Sequence, residues 1–378
     1  MTSREFQVFV KPVSSDCNLM CNYCYYINTN SGVRTDGLNN HNLLEKYISD
    51  HIDATDDQLI FFSWHGGEPL LAGIDFYRKV IAIQNKYLPE NKKIINGIQT
   101  NGTLLNEEWC RFLAEEQFTI GISIDGPEKI HDANRRSASG LPSFKRAVKG
   151  HELLQKHGIN PEILCVVSVV NQEHPAEVYD LFRRMGAEFI TFLPLVERRA
   201  DLPKGVSALS VDPIKFGNFL CAVFDEWVEK DIGNIKVQVF EEAARTAFLQ
   251  DHTLCVFKEN CGGVPVLEQN GSVYSCDHFV DDQHLIGNIK DSTLAEMLDS
   301  QGQKKFGLSK SKTLPEYCLR CEVKQMCNGE CPKNRFMYTL DGQPGLNYLC
   351  PGYKLFFNHC RPFVDAISRL WHNNSSSL

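Results

Sequence analysis

Residues 10–26 read VKPVSSDCNLMCNYCYY, a stretch that packs Cys17, Cys21 and Cys24 into a single short loop. The run before them, FQVFVKPVS (6–14), is rich in β-branched and aromatic residues, so the thiols are expected directly after a first strand. The chain holds 15 cysteines in 378 residues. That number is odd, and MTSREFQVFVKPVSSDC lacks the basic stretch and apolar core of a secretory signal. A cytoplasmic location is therefore expected. Disulfides stay reduced there, and a crowd of thiols reads as metal ligation.

Moving outward from the loop, five further strands are expected: LIFFSWHG (59–66), INGIQTNG (95–102), FTIGISIDG (118–126), PEILCVVSVV (161–170) and FITFLPLV (189–196). Segments such as IDFYRKVIAIQNKYL, NEEWCRFLAEEQ and HPAEVYDLFRRMG lie between them, with apolar residues three and four apart as in helices. Asn106, Ser143 and His174–Pro175 sit where helices start, and Gly158 and Gly186 where they stop. Six strand–helix units with apolar strands imply a parallel sheet covered on its outer face. Eight would close a barrel, so an α/β partial (β/α)6 barrel is expected. With a linker helix it occupies 1–230, followed by a cysteine-rich domain over 231–351 and a helix and tail over 352–378. The polar tail NNSSSL is expected to fray.

Three thiolates from one loop, with no fourth nearby, make a poor zinc site, because structural zinc wants four closed ligands. A [4Fe–4S] cluster on three thiolates instead leaves one iron open. C-x3-C-x2-C with an aromatic residue before its last cysteine resembles the signature of the radical S-adenosylmethionine (SAM) superfamily. The resemblance implies that the open iron binds the amino and carboxylate groups of SAM, whose cleavage yields a 5′-deoxyadenosyl radical. Gly66-Gly67-Glu68-Pro69 ends the second strand, where glycine permits close approach and proline fixes the exit. In that superfamily a GGEP segment meets the SAM amino group, which assigns Gly66, Gly67 and Glu68 to the cofactor. Polar residues ending the third and fourth strands lie where barrels build their sites. The resemblance gives Asn101, Ser123 and Asp125 contacts to SAM or substrate, while turn capping is the plain alternative for Asn101. Arg135 and Arg136 read as a solvated basic pair rather than a SAM-carboxylate clamp.

Eight more cysteines lie between Cys255 and Cys350. Cys318-x2-Cys321-x5-Cys327-x3-Cys331 resembles the SPASM domain, a C-terminal extension carrying two auxiliary [4Fe–4S] clusters. That resemblance places Cys255, Cys261, Cys276 and Cys331 on one cluster and Cys318, Cys321, Cys327 and Cys350 on the other. Three [4Fe–4S] clusters in all follow, and two zinc sites are the rival reading. The segment is too poor in apolar residues to fold without metal. Cys110, Cys165, Cys221 and Cys360 fall in amphipathic or apolar elements and are expected to be packing.

VKPVSSDCNLMCNYCYY, FFSWHGGEPLLAG, GIQTNGTLL, GISIDGPEKIHDANRR and NGSVYSCDHFV are similar to anaerobic sulfatase-maturating enzymes, over nearly the whole chain. Such enzymes oxidise a cysteine or serine of a sulfatase to Cα-formylglycine by Cβ hydrogen abstraction. The resemblance implies an unfolded or nascent sulfatase polypeptide as substrate and a flavodoxin- or ferredoxin-type electron donor. It makes Asp277, next to Cys276, the base, a role that a partly apolar pocket would support by raising its pKa. Tyr26 and His65 would face the substrate, although some members carry glutamine in place of His65. A peptide-modifying enzyme that forms thioether or carbon crosslinks is the alternative. Such enzymes commonly carry an N-terminal precursor-binding domain, for which the residues before Cys17 leave no room. Net charge −8, from 39 basic and 47 acidic residues, argues against nucleic-acid or anionic-membrane partners.

Overall fold

A computed structural model of the protein describes residues 5–26, 37–202 and 205–375. In chain order its strands are β1 (Phe9–Val10), β2 (Leu59–Trp64), β3 (Lys93–Thr100), β4 (Thr119–Ser123), β5 (Glu162–Val167), β6 (Phe189–Pro194), β7 (Lys236–Val237), β8 (Val266–Leu267), β9 (Ser272–Tyr274) and β10 (Leu285–Asn288), with a hairpin of β11 (Met337–Tyr338) and β12 (Pro344–Leu346). The helices are α1 (His41–Ala54), α2 (Ile74–Tyr87), α3 (Glu107–Glu115), α4 (Glu128–Asn134), α5 (Phe144–Lys156), α6 (Pro175–Arg184), α7 (Pro213–Lys230), α8 (Gln238–Arg245), α9 (Leu294–Asp299), α10 (Gln301–Lys312), α11 (Glu316–Leu319), α12 (Lys324–Cys327) and α13 (Cys350–Ser375). Two compact units result. The first comprises the described residues of Met1–Ser123, Asn134–Pro161 and Gly262–Leu308; the second comprises those of Ile124–Ala133, Glu162–Cys261 and Ser309–Leu378.

In the first unit β1 to β4 run parallel in chain order, with Val10 opposite Trp64 and Phe62 opposite Asn96. The fully buried Phe62, Trp64, Tyr47 and Tyr77 are the bulk of its core. On its other side β1 pairs in parallel with β8, which continues antiparallel into β9 and β10. Residues 6–14 were expected as one long strand, but the strand proper is Phe9–Val10, with Gln7 and Lys11 N–H also bonded across to Gly263 O and Leu267 O. From Lys11 the chain turns, with Ser14 N–H bonded to Lys11 C=O and Ser14 at φ 52°. That turn is what swings the cysteine loop across the strand ends.

Helix starts follow their sequence signals unevenly. The Asn106 side chain accepts from Trp109 N–H, and Pro175 occupies the first turn of α6. Ser143 stands at the start of α5 without capping it, because its hydroxyl donates to Arg135 C=O at 2.7 Å. Helices α4 and α10 and strand β10 were not anticipated. In α10, QGQKKFGLSKSK has too few apolar residues to show a period.

The second unit carries β5, β6 and β7 in parallel, with Ile163 opposite Ile190 and Ile190 opposite Val237. Helices α7 and α13 cross closely because both are glycine at the contact. A Cβ on Gly352 would lie 2.0 Å from Pro213 O, and one on Gly217 2.6 Å from Gly352 O. Around that crossing Phe224 rings pack on Trp227, Phe240 and Phe356. Helix α13 starts at Cys350 and runs into the polar tail as far as Ser375, instead of fraying from Asn373. The last three tail residues, and Pro203–Lys204 of the expected linker, fall outside the described residues. Among the described residues no helix is long and apolar enough to cross a membrane.

Candidate active site

The loop bearing Cys17, Cys21 and Cys24 is held by backbone bonds along both flanks. Met20 N–H donates to Arg136 O at 2.6 Å and Asn22 N–H to Asn134 O at 3.0 Å. On the other flank Gly67 N–H donates to Ser14 O and Glu68 N–H to Asp16 O, each at 2.8 Å. Glycine is required there. Gly66 sits at φ 137°, and a Cβ on Gly67 would stand 2.0 Å from Asp16 O. The GGEP segment is thus pressed against the residues that precede Cys17.

Within the loop Leu19 N–H donates to Cys17 Sγ at 3.3 Å, and Asn101 Nδ2 reaches the same sulfur at 3.8 Å. Burial pushes the Cys17 thiol up to about 11, with Leu19 opposing and with Glu68, Cys21 and Cys24 adding to the rise. The Cys17 thiol therefore feels the charges of the other two, and the N–H donors suit a thiolate. Bonding to iron ionises such thiols and offsets the burial penalty, so this donor set fits a cluster. Among the described residues, no three His, Cys, Asp or Glu side chains close on a single-ion site.

Glu68 is fully buried and accepts from Leu70 N–H at 3.1 Å, Thr100 Oγ at 2.7 Å and Asn101 N–H at 2.8 Å. Burial nevertheless raises its pKa to about 7. Asn101 does two jobs. Its amide bonds Asn18 at 2.8 Å, while its carbonyl oxygen caps the turn at Thr103 N–H at 2.9 Å. Ser123 accepts from Gln99 at 3.1 Å. Asp125 lies in the second unit, where it is buried and accepts from Val166 N–H at 3.1 Å.

Two acidic centres, neither of them evident as a pair in the sequence, lie behind the cysteine loop. Asp277 is 8 % exposed, with Lys11 Nζ 2.7 Å from its Oδ1. The Tyr25 hydroxyl donates to its other oxygen. The Lys11 ammonium thus compensates the charge on Oδ1 directly. Burial alone would raise the Asp277 carboxyl; Lys11, His278 and Tyr25 together outweigh it and hold it well below the usual range. The expected elevation is thus reversed, because a buried ammonium faces the carboxylate. Glu268 accepts from the Tyr26 hydroxyl and from Ser14 Oγ at 3.1 Å. Tyr26 is buried beneath Lys11, whose ammonium is 4.4 Å from the ring centre. His65 is half-buried and stacks on Phe9 at 3.9 Å; burial, reinforced by Lys11, pushes it down to about 3.

Arg135 corrects the expectation of a solvated pair. It is buried, with its guanidinium 5.4 Å from the Tyr23 ring, whereas Arg136 is exposed and donates to Gly140 O at 3.0 Å. The loop's aromatic residue before Cys24 supplies the face on which Arg135 rests.

The second unit gathers seven of the C-terminal cysteines, and Cys276 lies in the first. Cys350, opening α13, is pushed up to about 12 by burial, with Cys318 and Cys321 adding. Burial also raises Cys327, with Glu330, Cys350 and Cys318 contributing. Cys318, Cys321, Cys327 and Cys350, the set that the resemblance implies, thus share one electrostatic neighbourhood. Cys255 is pushed up to about 11 by burial; Lys310 opposes and Cys261 adds. The fully buried Lys310 caps the Cys255 loop, donating to Cys255 O at 3.0 Å, Val256 O at 2.8 Å and Lys258 O.

Comparison with known proteins now decides the family. Residues 12–185 match the radical SAM superfamily and residues 262–322 an iron–sulfur cluster-binding domain. The chain is 41 % identical over 382 residues to a serine-type anaerobic sulfatase-maturating enzyme of Bacteroides thetaiotaomicron, spanning 97 % of this chain and 92 % of the relative. To a cysteine-type enzyme of Clostridium perfringens it is 34 % identical over 363 residues, 94 % and 96 % of the two chains. A solved structure described as native anSMEcpe with bound AdoMet superimposes with a TM-score of 0.87 at 33 % identity, covering 96 % of this chain and 99 % of that one. The chain belongs to the anaerobic sulfatase-maturating enzymes. As a member of that family it is a radical SAM oxidoreductase, a partial α/β barrel joined to an iron–sulfur domain.

Within the family frame, the superfamily match takes in the cysteine triple, the GGEP segment and the strand ends as far as Asp125. The iron–sulfur match ends before Cys327, Cys331 and Cys350. Sequence reasoning missed Lys11, Tyr25 and Glu268. Lysine at the end of an apolar strand was the available signal, since a charge there must find a buried partner.

Proposed function

We propose that the chain oxidises a cysteine or serine side chain of an unfolded or nascent sulfatase polypeptide to Cα-formylglycine. One observation supports this reading above the others: Asp277, beside Cys276, is a buried carboxylate kept ionised by the Lys11 ammonium at 2.7 Å and held by the Tyr25 hydroxyl. An ionised carboxylate has several lone pairs, so a substrate thiol or hydroxyl can still donate its proton to it. Tyr25 ties the same carboxylate to the residue after Cys24, so the base is one residue from a cluster cysteine on either side.

In this reading Cys17, Cys21 and Cys24 hold the SAM-binding [4Fe–4S] cluster. Cys255, Cys261, Cys276 and Cys331 hold one auxiliary cluster, and Cys318, Cys321, Cys327 and Cys350 the other. Gly66, Gly67, Glu68, Asn101, Ser123 and Asp125 serve SAM, and Tyr26 and His65 border the substrate. Cluster and SAM, when bound, supply a 5′-deoxyadenosyl radical that takes one hydrogen atom from Cβ. The Cβ radical then loses one electron and its S–H or O–H proton to give a thioaldehyde or aldehyde; water converts the former to aldehyde and hydrogen sulfide. Asp277 accepts that proton. Loss of the electron makes the proton strongly acidic, so a carboxylate held low by Lys11 is base enough. The Lys11 ammonium keeps the carboxylate ionised and aimed, and Tyr25 fixes its second oxygen. A flavodoxin- or ferredoxin-type donor supplies reducing electrons, and a cytoplasmic setting suits the thiols.

The test combines reduced, iron-loaded protein with SAM and peptides bearing the sulfatase motif C/S-x-P/A-x-R. A serine peptide should lose the mass of two hydrogens; a cysteine peptide should in addition exchange sulfur for oxygen, with 5′-deoxyadenosine formed in both cases. D277N should still cleave SAM and lose aldehyde formation by about 100-fold or more. Full aldehyde yield from D277N would remove Asp277 from the mechanism, and SAM cleavage without peptide change would remove the substrate assignment.

A further inference from the structure

The five residues Cys327-Asn328-Gly329-Glu330-Cys331 join a cysteine of one auxiliary set to a cysteine of the other. All three inner residues are left-handed, at φ 46°, 71° and 52°. Asn328 and Glu330 bear side chains that disfavour this conformation, so something must hold it. The holder is Arg335. Its Nε donates to Gly329 O at 2.8 Å, its Nη2 to Asn328 O at 2.8 Å and Glu330 O at 3.1 Å, and its Nη1 to Lys310 O at 2.5 Å. Every carbonyl between the two cysteines therefore points at one guanidinium. Contact is close enough that a Cβ on Gly329 would stand 2.5 Å from Nη2. Asn347 steadies the same bridge, donating to the Glu330 carboxylate at 2.6 Å.

Because its guanidinium is bonded to all three inner carbonyls, Arg335 places a cation within the segment that joins Cys327 to Cys331. Guanidinium stays charged in any protein setting, so this is a permanent cation.

We propose that Arg335 is a positioning residue for both auxiliary sites, fixing the bridge that gives one ligand to each and raising their reduction potentials with its permanent charge. A cation beside an acceptor stabilises the state that has gained an electron. In the reaction proposed above, on which the two ligand sets and the origin of the electron rest, the Cβ radical gives up one electron and one proton; the proton goes to Asp277 and the electron to an auxiliary site next to Arg335.

The experiment is a redox titration followed by electron paramagnetic resonance, without SAM or substrate. It uses the full chain carrying C17A, C21A and C24A, so that only auxiliary signals report. R335Q and R335K are compared with Arg335 in that background. R335Q should shift the reduction equilibrium at least tenfold toward the oxidised state, about 59 mV lower for a one-electron couple, while R335K stays near the parent. An unshifted R335Q would overturn the proposal. So would equal shifts in R335Q and R335K, or loss of auxiliary iron from either variant, which would leave a structural clamp alone. Potentials shifted as expected in a protein that makes no formylglycine would sink the substrate reading and leave this one standing.

Discussion

The two cysteine regions solve one problem in opposite ways. In the first unit, the loop of Cys17, Cys21 and Cys24 is fixed by polypeptide: backbone bonds to Gly67 and Glu68 on one flank and to Asn134 and Arg136 on the other hold it, and Trp64, Phe62 and Tyr77 are buried in the core of that unit. In the second unit, Cys318, Cys321 and Cys327 sit on or beside the four-residue helices α11 and α12, and left-handed backbone leads on from Cys327 to Cys331. Leu319, Tyr338 and Leu340 of this stretch face solvent. Where the sheet supports the loop, a cluster can come and go; where the loops support each other, metal is part of the fold.

Removing ligands should break that symmetry most visibly. C17A/C21A/C24A should abolish 5′-deoxyadenosine formation while leaving the thermal unfolding midpoint near that of the parent. C318A/C321A should lose auxiliary iron and on the order of 4 kcal/mol or more of stability, read by denaturant unfolding. Equal destabilisation of the two variants would erase the distinction. Next in size is K11M. It leaves the buried Asp277 carboxylate without its ammonium partner, and a loss of about 3–5 kcal/mol is expected in urea titrations. A smaller effect is expected for G67A, whose Cβ must push Asp16 O away. About 1–3 kcal/mol should be lost, together with SAM binding and with auxiliary iron retained.

The smallest effect concerns pH and sharpens the picture of the protein-held loop. Glu68 is raised to about 7 by burial, so below that pH the SAM-free protein holds it protonated. An incoming ammonium favours the ionised form. SAM binding should therefore release a proton below pH 7, and affinity should fall about fivefold from pH 7 to pH 6 before levelling off above 7. Calorimetry in buffers of different ionisation enthalpy reads the released proton directly. An affinity flat across that window would remove Glu68 from the amino-group contact.

Much of the fold was legible because its signals are local. Five of the six expected barrel strands lie within a few residues of their positions, since each is an apolar run closed by Gly, Pro or Asn. The first strand shrank to Phe9–Val10 because the chain turns at Lys11 to serve the loop, a demand no local pattern records. The cysteine triple and GGEP segment were likewise visible, as short spacings that chemistry restricts.

What the sequence determined by itself was the inventory: three thiols in one loop, eight more near the end, a strand–helix rhythm and an aspartate beside Cys276. Tertiary structure decided the pairings. Lys11 and Asp277 are remote in sequence, as are Tyr26 and Glu268, and only β8 lying against β1 brings them together. It also reversed the direction of the pKa shift expected of Asp277 and buried Arg135 against Tyr23. The reason is physical: spacing fixes which groups share a loop, whereas the energy of a charge depends on burial and on partners that only the folded chain supplies.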